Sequence, residues 1–141
     1  MLTIYPACFY KEDNGYSVIF PDLNYLATCG NTLDHAIEMA IDCLAGYAFS
    51  ASIEGDVLPS PSDIKNIDPD EVARELNFDS DEVFVNMIAV DVDEYSKIHF
   101  EKPVKKNLTI PAWLNDTAQS NGINFSAVLQ EALKEKLGIS R

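Results

Sequence analysis

The sequence predicts an α+β protein in two parts, an antiparallel sheet with covering helices over residues 1–100 and a strand followed by two helices over 101–141. Three observations carry this. Short β-prone runs separated by turn residues open the chain. Apolar residues spaced three and four apart follow Thr32 and recur after Pro111. Charge is divided: residues 1–100 hold 19 acidic against 4 basic side chains, net −15, and residues 101–141 hold 4 against 6, net +2.

In the first part, Tyr5–Tyr10 and Tyr16–Phe20 read as two strands, and the intervening Lys11-Glu12-Asp13-Asn14-Gly15 ends in Asn-Gly, a strong hairpin signal. Tyr25–Cys29 reads as a third strand. Thr32 is placed to cap a helix whose Ala36, Ile37, Ala40, Ile41, Leu44 and Ala45 form one apolar face against the sheet. Gly55, Pro59, Pro61 and Pro69 interrupt residues 55–69, and Asp70–Leu76 reads as a short helix. Val83–Val92 is β-prone and mostly apolar, as for a strand buried on both faces that returns to the sheet. Ser96–Pro103 loses that character and ends in Glu101-Lys102-Pro103, which sets the boundary between the parts.

Nearly half the residues, 47%, are hydrophobic and 23% are charged, which is globular usage and excludes a disordered chain. The opening M-L-T-I-Y-P-A has no basic n-region, and no run approaches the roughly 18 apolar residues of a membrane span, so the expected location is cytoplasmic, with no membrane partner. Cys8, Cys29 and Cys43 fit no zinc or redox spacing and are expected to be buried thiols.

The second part begins with a strand over Val104–Pro111. Leu108 and Ile110 share one face, with Lys105, Asn107 and Thr109 on the other. A helix follows from about Ala112 to Asn121, a turn at Gly122, and a second helix from Asn124 to Leu137. A lone strand ahead of two helices has no partner in its own segment, so a homodimer or higher even oligomer is expected, pairing two such strands into a ribbon. This is a ribbon-helix-helix pattern. Its two-stranded ribbon fits a major groove, where Lys105, Asn107 and Thr109 reach base edges, and Asn124 and Ser126 at the second helix start offer a phosphate anchor. Leu114, Ala118, Ile123, Val128, Leu129, Ala132, Leu133 and Leu137 supply the dimer core, and Trp113 packs.

Catalytic signals are weak. Asp34, Glu38 and Asp42 share a helix face that reads as solvated, Asp91 and Asp93 share a strand face, and His35 and His99 flank no nucleophile motif. No catalytic residue, metal ligand or cofactor is assigned. A degenerate metal-dependent nuclease and a ligand-sensing transcriptional repressor are the competing readings.

Y-P-A-C-F-Y-K-E-D-N-G-Y-S-V-I-F-P-D-L from Tyr5 to Leu23, C-G-N-T-L-D-H-A-I-E-M-A from Cys29, and Leu58-Pro59-Ser60-Pro61-Ser62 resemble the opening of HicB antitoxins. The tail from Leu108 to Gly138 resembles the ribbon-helix-helix form of that family's C-terminal domain. The resemblance implies a partial ribonuclease H-like fold in a toxin-binding domain, 1–100, and a DNA-binding and dimerisation domain, 101–141. It implies an antitoxin of a type II toxin-antitoxin system that neutralises a HicA-type mRNA ribonuclease and represses its own operon at operator DNA. Tyr16, Phe20, Asp22 and Leu23, at the F-P-D-L turn, are the expected toxin contacts.

Overall fold

The computed structural model describes residues 1–101 and 103–139. The chain divides into two compact units, Met1–Lys102 and Pro103–Arg141. Lys102, part of the sequence read as the boundary, lies outside the described residues.

The N-terminal unit grows from β1, Leu2–Glu12, whose residues Tyr5 to Tyr10 are all buried. Strand side chains alternate between faces, so this run feeds Tyr5, Ala7 and Phe9 to one side of the sheet and Pro6, Cys8 and Tyr10 to the other. β1 turns back into β2, Gly15–Phe20, with Glu12 opposite Gly15 and Cys8 opposite Ile19. A proline is tolerated in this central strand because the β1–β2 ladder stops at Cys8, so no partner waits for the N–H that Pro6 lacks. β3, Leu26–Gly30, and β4, Val83–Asp91, complete an antiparallel sheet in the order β3-β2-β1-β4.

The hairpin is tighter than expected, because β1 runs on through Lys11 and Glu12 and β2 begins one residue early. Asp13 and Asn14 span the loop, and Gly15 is the first residue of β2 with φ +139°. A Cβ on Gly15 would lie 2.1 Å from the Gly30 carbonyl oxygen, and one on Gly30 would lie 2.3 Å from the Ala36 backbone nitrogen. Two glycines thus let β2, β3 and the next helix meet backbone to backbone at one corner.

That helix, α1, spans Leu33–Glu54, and the Thr32 hydroxyl accepts the His35 N–H at 3.2 Å as its cap. Ala36, Ala40, Leu44 and Ala45 pack on Tyr5, Phe9, Val18, Phe20, Leu23, Ile88 and Val90. By length and composition α1 could cross a membrane, although its sequence holds no unbroken apolar run; here its apolar side lies on the sheet. The opposite sheet face carries a smaller core in which α2, Pro69–Glu75, sets Val72 and Ala73 against Cys8, Tyr10 and Ile19.

Several expectations change. β4 is half covered: Ile88 and Val90 are buried, whereas Phe84, Asn86 and Ala89 are exposed, because the strand ends the sheet. Only Cys8 is a buried thiol, since Cys29 is exposed on the short edge strand β3 and Cys43 is half-buried on the flank of α1. The segment after β4 is a helix, α3, Val92–His99. Asp91, read as a strand-face carboxylate, caps it by accepting the Glu94 N–H at 3.3 Å.

In the C-terminal unit, α4 spans Ala112–Ser120 and α5 spans Phe125–Leu137. Residues 103–111 adopt no regular structure in the single chain, so the strand expected over Val104–Pro111 is absent. A strand exists only through a ladder, and the described residues of this unit supply no second strand to form one.

Replacing Gly30 by Ala should destabilise the fold by about 2 kcal/mol or more, because backbone must move to admit the methyl group. Gly46→Ala should instead be neutral or stabilise by up to about 1 kcal/mol, since the site lies inside α1 and its nearest outside neighbour is a Phe100 ring carbon at 3.9 Å. Urea midpoints of the two variants check both signs.

Candidate interaction surfaces

The F-P-D-L turn follows β2 directly. Pro21–Leu23 form one 3-10 turn, and Asn24 and Tyr25 both have φ 57°, which reverses the chain into β3. Phe20 and Leu23 point inward and are sealed in the core, at 0% and 1% exposure. They hold the turn in place and offer nothing to a partner, which corrects their assignment as contacts. Asp22 is also committed: its carboxylate accepts the Ser62 backbone N–H and the Ser62 hydroxyl, both at 2.7 Å. The Tyr5 hydroxyl donates to the Pro59 carbonyl, and the Tyr10 hydroxyl donates to the Pro69 carbonyl at 2.8 Å. Four hydrogen bonds from three side chains therefore strap residues 59–69 to the sheet, where the proline-rich sequence supplies no ladder of its own.

Of the four expected contacts Tyr16 and Asp22 are half-buried, and Tyr16 is the one whose side chain is not tied to the strap. Its ring lies 4.7 Å under the Lys11 ammonium and edge-on to Phe84, with centroids 6.4 Å apart, while Phe84 stacks on Phe9 at 4.8 Å. Sequence reading passed over Lys11 and Phe84 because a cross-strand neighbour shows only once the register is known.

Elsewhere the unit is acidic. The stripe on α1 is partly engaged: the Tyr95 hydroxyl donates to Asp42 at 2.9 Å, and burial, the Asp42 carboxylate and nearby Glu38 push the phenol up to about 12. Burial likewise raises the Cys8 thiol and the Tyr10 phenol above their ordinary values, so both stay protonated at neutral pH. A cleft of about 380 Å³ at the end of α1 is edged by Asn24, Tyr47, Glu54, Asp56 and Leu58. Among the described residues no three His, Cys, Asp or Glu side chains converge as metal ligands would.

In the C-terminal unit Lys105, Asn107 and Thr109 are all exposed. The Asn124 side chain accepts the Ala127 N–H at 3.1 Å, capping α5, and the Ser126 hydroxyl accepts from the Gln130 amide at 3.0 Å. These residues border a shallow depression with Glu131 and Lys134. Apolar side chains dominate the rest of the surface. Leu108, Trp113, Val128, Leu133 and Leu137 each expose more than half their area, and among this unit's described residues only Asn115, Ala118 and Leu129 are even half-buried. Two short helices with this much bare apolar surface do not amount to a core.

The model of the HicB_like antitoxin of bacterial toxin-antitoxin systems matches residues 5–132. Among solved structures, a chain of a toxin-antitoxin complex from Streptococcus pneumoniae is 36% identical, with a TM-score of 0.62 over 96% of this chain and 99% of that one. A chain of a HicA3 and HicB3 toxin-antitoxin complex is 26% identical, with a TM-score of 0.48 over 60% of this chain and 94% of its own. The antitoxin HicB of Burkholderia pseudomallei is 21% identical, with a TM-score of 0.49 over 96% and 98% of the two chains. None of the curated proteins matches this chain.

Asp22→Asn should cost about 1–3 kcal/mol by weakening two hydrogen bonds to a charged acceptor. The loss should be local, read as faster proteolysis within residues 56–63 and faster exchange of the Ser62 amide with the sheet amides unchanged.

Proposed function

The chain belongs to the HicB_like antitoxin family, and from that membership we propose that its N-terminal unit neutralises a HicA-type mRNA ribonuclease toxin while its C-terminal unit represses the operon as a DNA-bound dimer. The observation that carries this reading is the charge division, net −15 over residues 1–100 against +2 over 101–141. One chain with these two surfaces is suited to two partners of opposite charge. An enzyme that binds RNA presents a basic face, which an acidic protein captures and covers; DNA repels the same acidic surface and is left to the tail. We read the N-terminal sheet as a partial ribonuclease H-like frame used for binding, and the molecule as acting by contact.

Dimerisation through a ribbon-helix-helix is supported by what the isolated C-terminal unit lacks. Residues 103–111 have no ladder, and the apolar residues of α4 and α5 have no cover. A second copy supplies both: the two extended segments pair antiparallel and the four helices close over Leu108, Ile110, Leu114, Val128 and Leu133. Lys105, Asn107 and Thr109 then stand on the outer face of the ribbon in two symmetric sets, and the α5 start, with Asn124 and Ser126, faces phosphate. The toxin complex acts as co-repressor or derepressor according to stoichiometry.

Co-expression with the toxin gene of the same operon should yield a stable complex that purifies intact; a toxin that stays active and unbound would overturn the reading. For the tail, Asn107→Ala should lose about 1–3 kcal/mol of operator affinity while nearly keeping non-specific binding. Lys105→Ala, if its contact is to phosphate, should weaken both and lower the salt slope by about 1 per lysine lost. Leu108→Lys should abolish the dimer, seen by sedimentation. Wild-type operator affinity in an Asn107→Ala/Thr109→Ala chain would refute groove reading.

A further inference from the structure

β4 closes the sheet and leaves one side of its backbone open. Its register with β1 runs without a break from Leu2 opposite Asp91 to Tyr10 opposite Val83, and the Lys11 N–H donates to the Glu82 carbonyl at 2.9 Å. Both backbone groups of an antiparallel residue point to the same side, and that side alternates along the strand. Since Glu82 faces β1, so do Phe84, Asn86, Ile88 and Val90, while Val83, Val85, Met87 and Ala89 face outward. Met87 checks the assignment: its N–H is taken by the neighbouring Asn86 side-chain oxygen at 3.0 Å and not by β1.

Exposed edges in natural sheets carry a lysine, a proline, a bulge or an inward charge that stops a foreign strand from pairing. From Val83 to Val90 this strand has none of these. Its charges stand just beyond the ends, with Asp79, Asp81 and Glu82 before it and Asp93 after it, all exposed. Phe84 on one face and Ala89 on the other add exposed apolar side chains beside the open backbone. Two copies pairing here antiparallel would bring Asp81 and Glu82 of each against the acidic far end of the other. A strand flanked by basic residues would meet opposite charge at both ends.

We propose that the open edge of β4 is a strand-addition site for a basic protein, which takes the outward N–H and C=O groups of Val85 and Ala89 and the outward C=O of Met87 into a fifth strand. The proposal rests on the toxin reading above and takes the toxin as the occupant. Backbone hydrogen bonds supply the attraction, Phe84 and Ala89 frame the added strand, and the acidic ends set its position.

The test uses the full-length chain and the toxin purified from the co-expressed complex, followed by residue-resolved amide exchange. On binding, the Val85 and Ala89 amides should slow by about tenfold or more, while those of Phe84, Asn86, Ile88 and Val90 are already slow in the free chain. Ala89→Pro removes one outward N–H without touching the β1 ladder, and should weaken toxin binding by about tenfold or more at an unchanged melting temperature. If that variant melts early, the wild-type exchange pattern alone decides. A complex that forms with the Val85 and Ala89 amides unchanged overturns the edge site and leaves the toxin reading standing. Val85 and Ala89 amides already slow in the free chain place a second copy there and overturn the basic occupant. Absence of any complex overturns the toxin reading and this site with it.

Discussion

The N-terminal unit depends on one strand being buried on both faces. β1 pairs with β2 on one side and β4 on the other, and its alternating side chains seed both cores, Tyr5, Ala7 and Phe9 toward α1 and Cys8 and Tyr10 toward α2. Filling either face with a polar residue would leave an unpartnered group in a dry core. The irregular stretch before α2 is held by the same strand, through the hydroxyls of Tyr5 and Tyr10, and by Asp22 at the end of β2. Sheet, helix and strap therefore share one support.

What β1 satisfies internally, the ends of the structure do not. β4 turns four residues' worth of backbone outward, and residues 103–111 have no ladder. Backbone polar groups and bare apolar side chains lose most when neither water nor protein serves them well, so both regions gain from a partner. The two differ in what surrounds them. The edge of β4 is set among carboxylates, and the tail segment carries Lys105 and Lys106, so the same backbone chemistry is directed to different partners by charge.

That division also bears on how the two proposed activities interact. A net charge of −15 on residues 1–100 opposes approach to DNA over roughly a Debye length, about 8 Å at physiological salt. On the proposed function, a basic toxin that covers the acidic surface would lower this repulsion.

The sequence by itself determined the local elements and the division of the chain. Thr32 and Asn124 marked helix starts because a cap is a contact between residues three apart, and the helix periodicity after each needs no distant information. The F-P-D-L turn, the charge split and the family likeness were legible for the same reason. Only the tertiary structure decided what each turn residue does. Asp22 meets Ser62 forty positions away, so a motif read as a contact surface proved to be a fastening, with Phe20 and Leu23 sealed beneath it. The apolar run of β4 could not reveal whether the strand was central or terminal, because alternation records which side chains are apolar and not which neighbours the sheet provides. α3 was missed because Asp91 has the same identity on a strand face and as a cap, and the choice lay in where β1 ran out of partners for it.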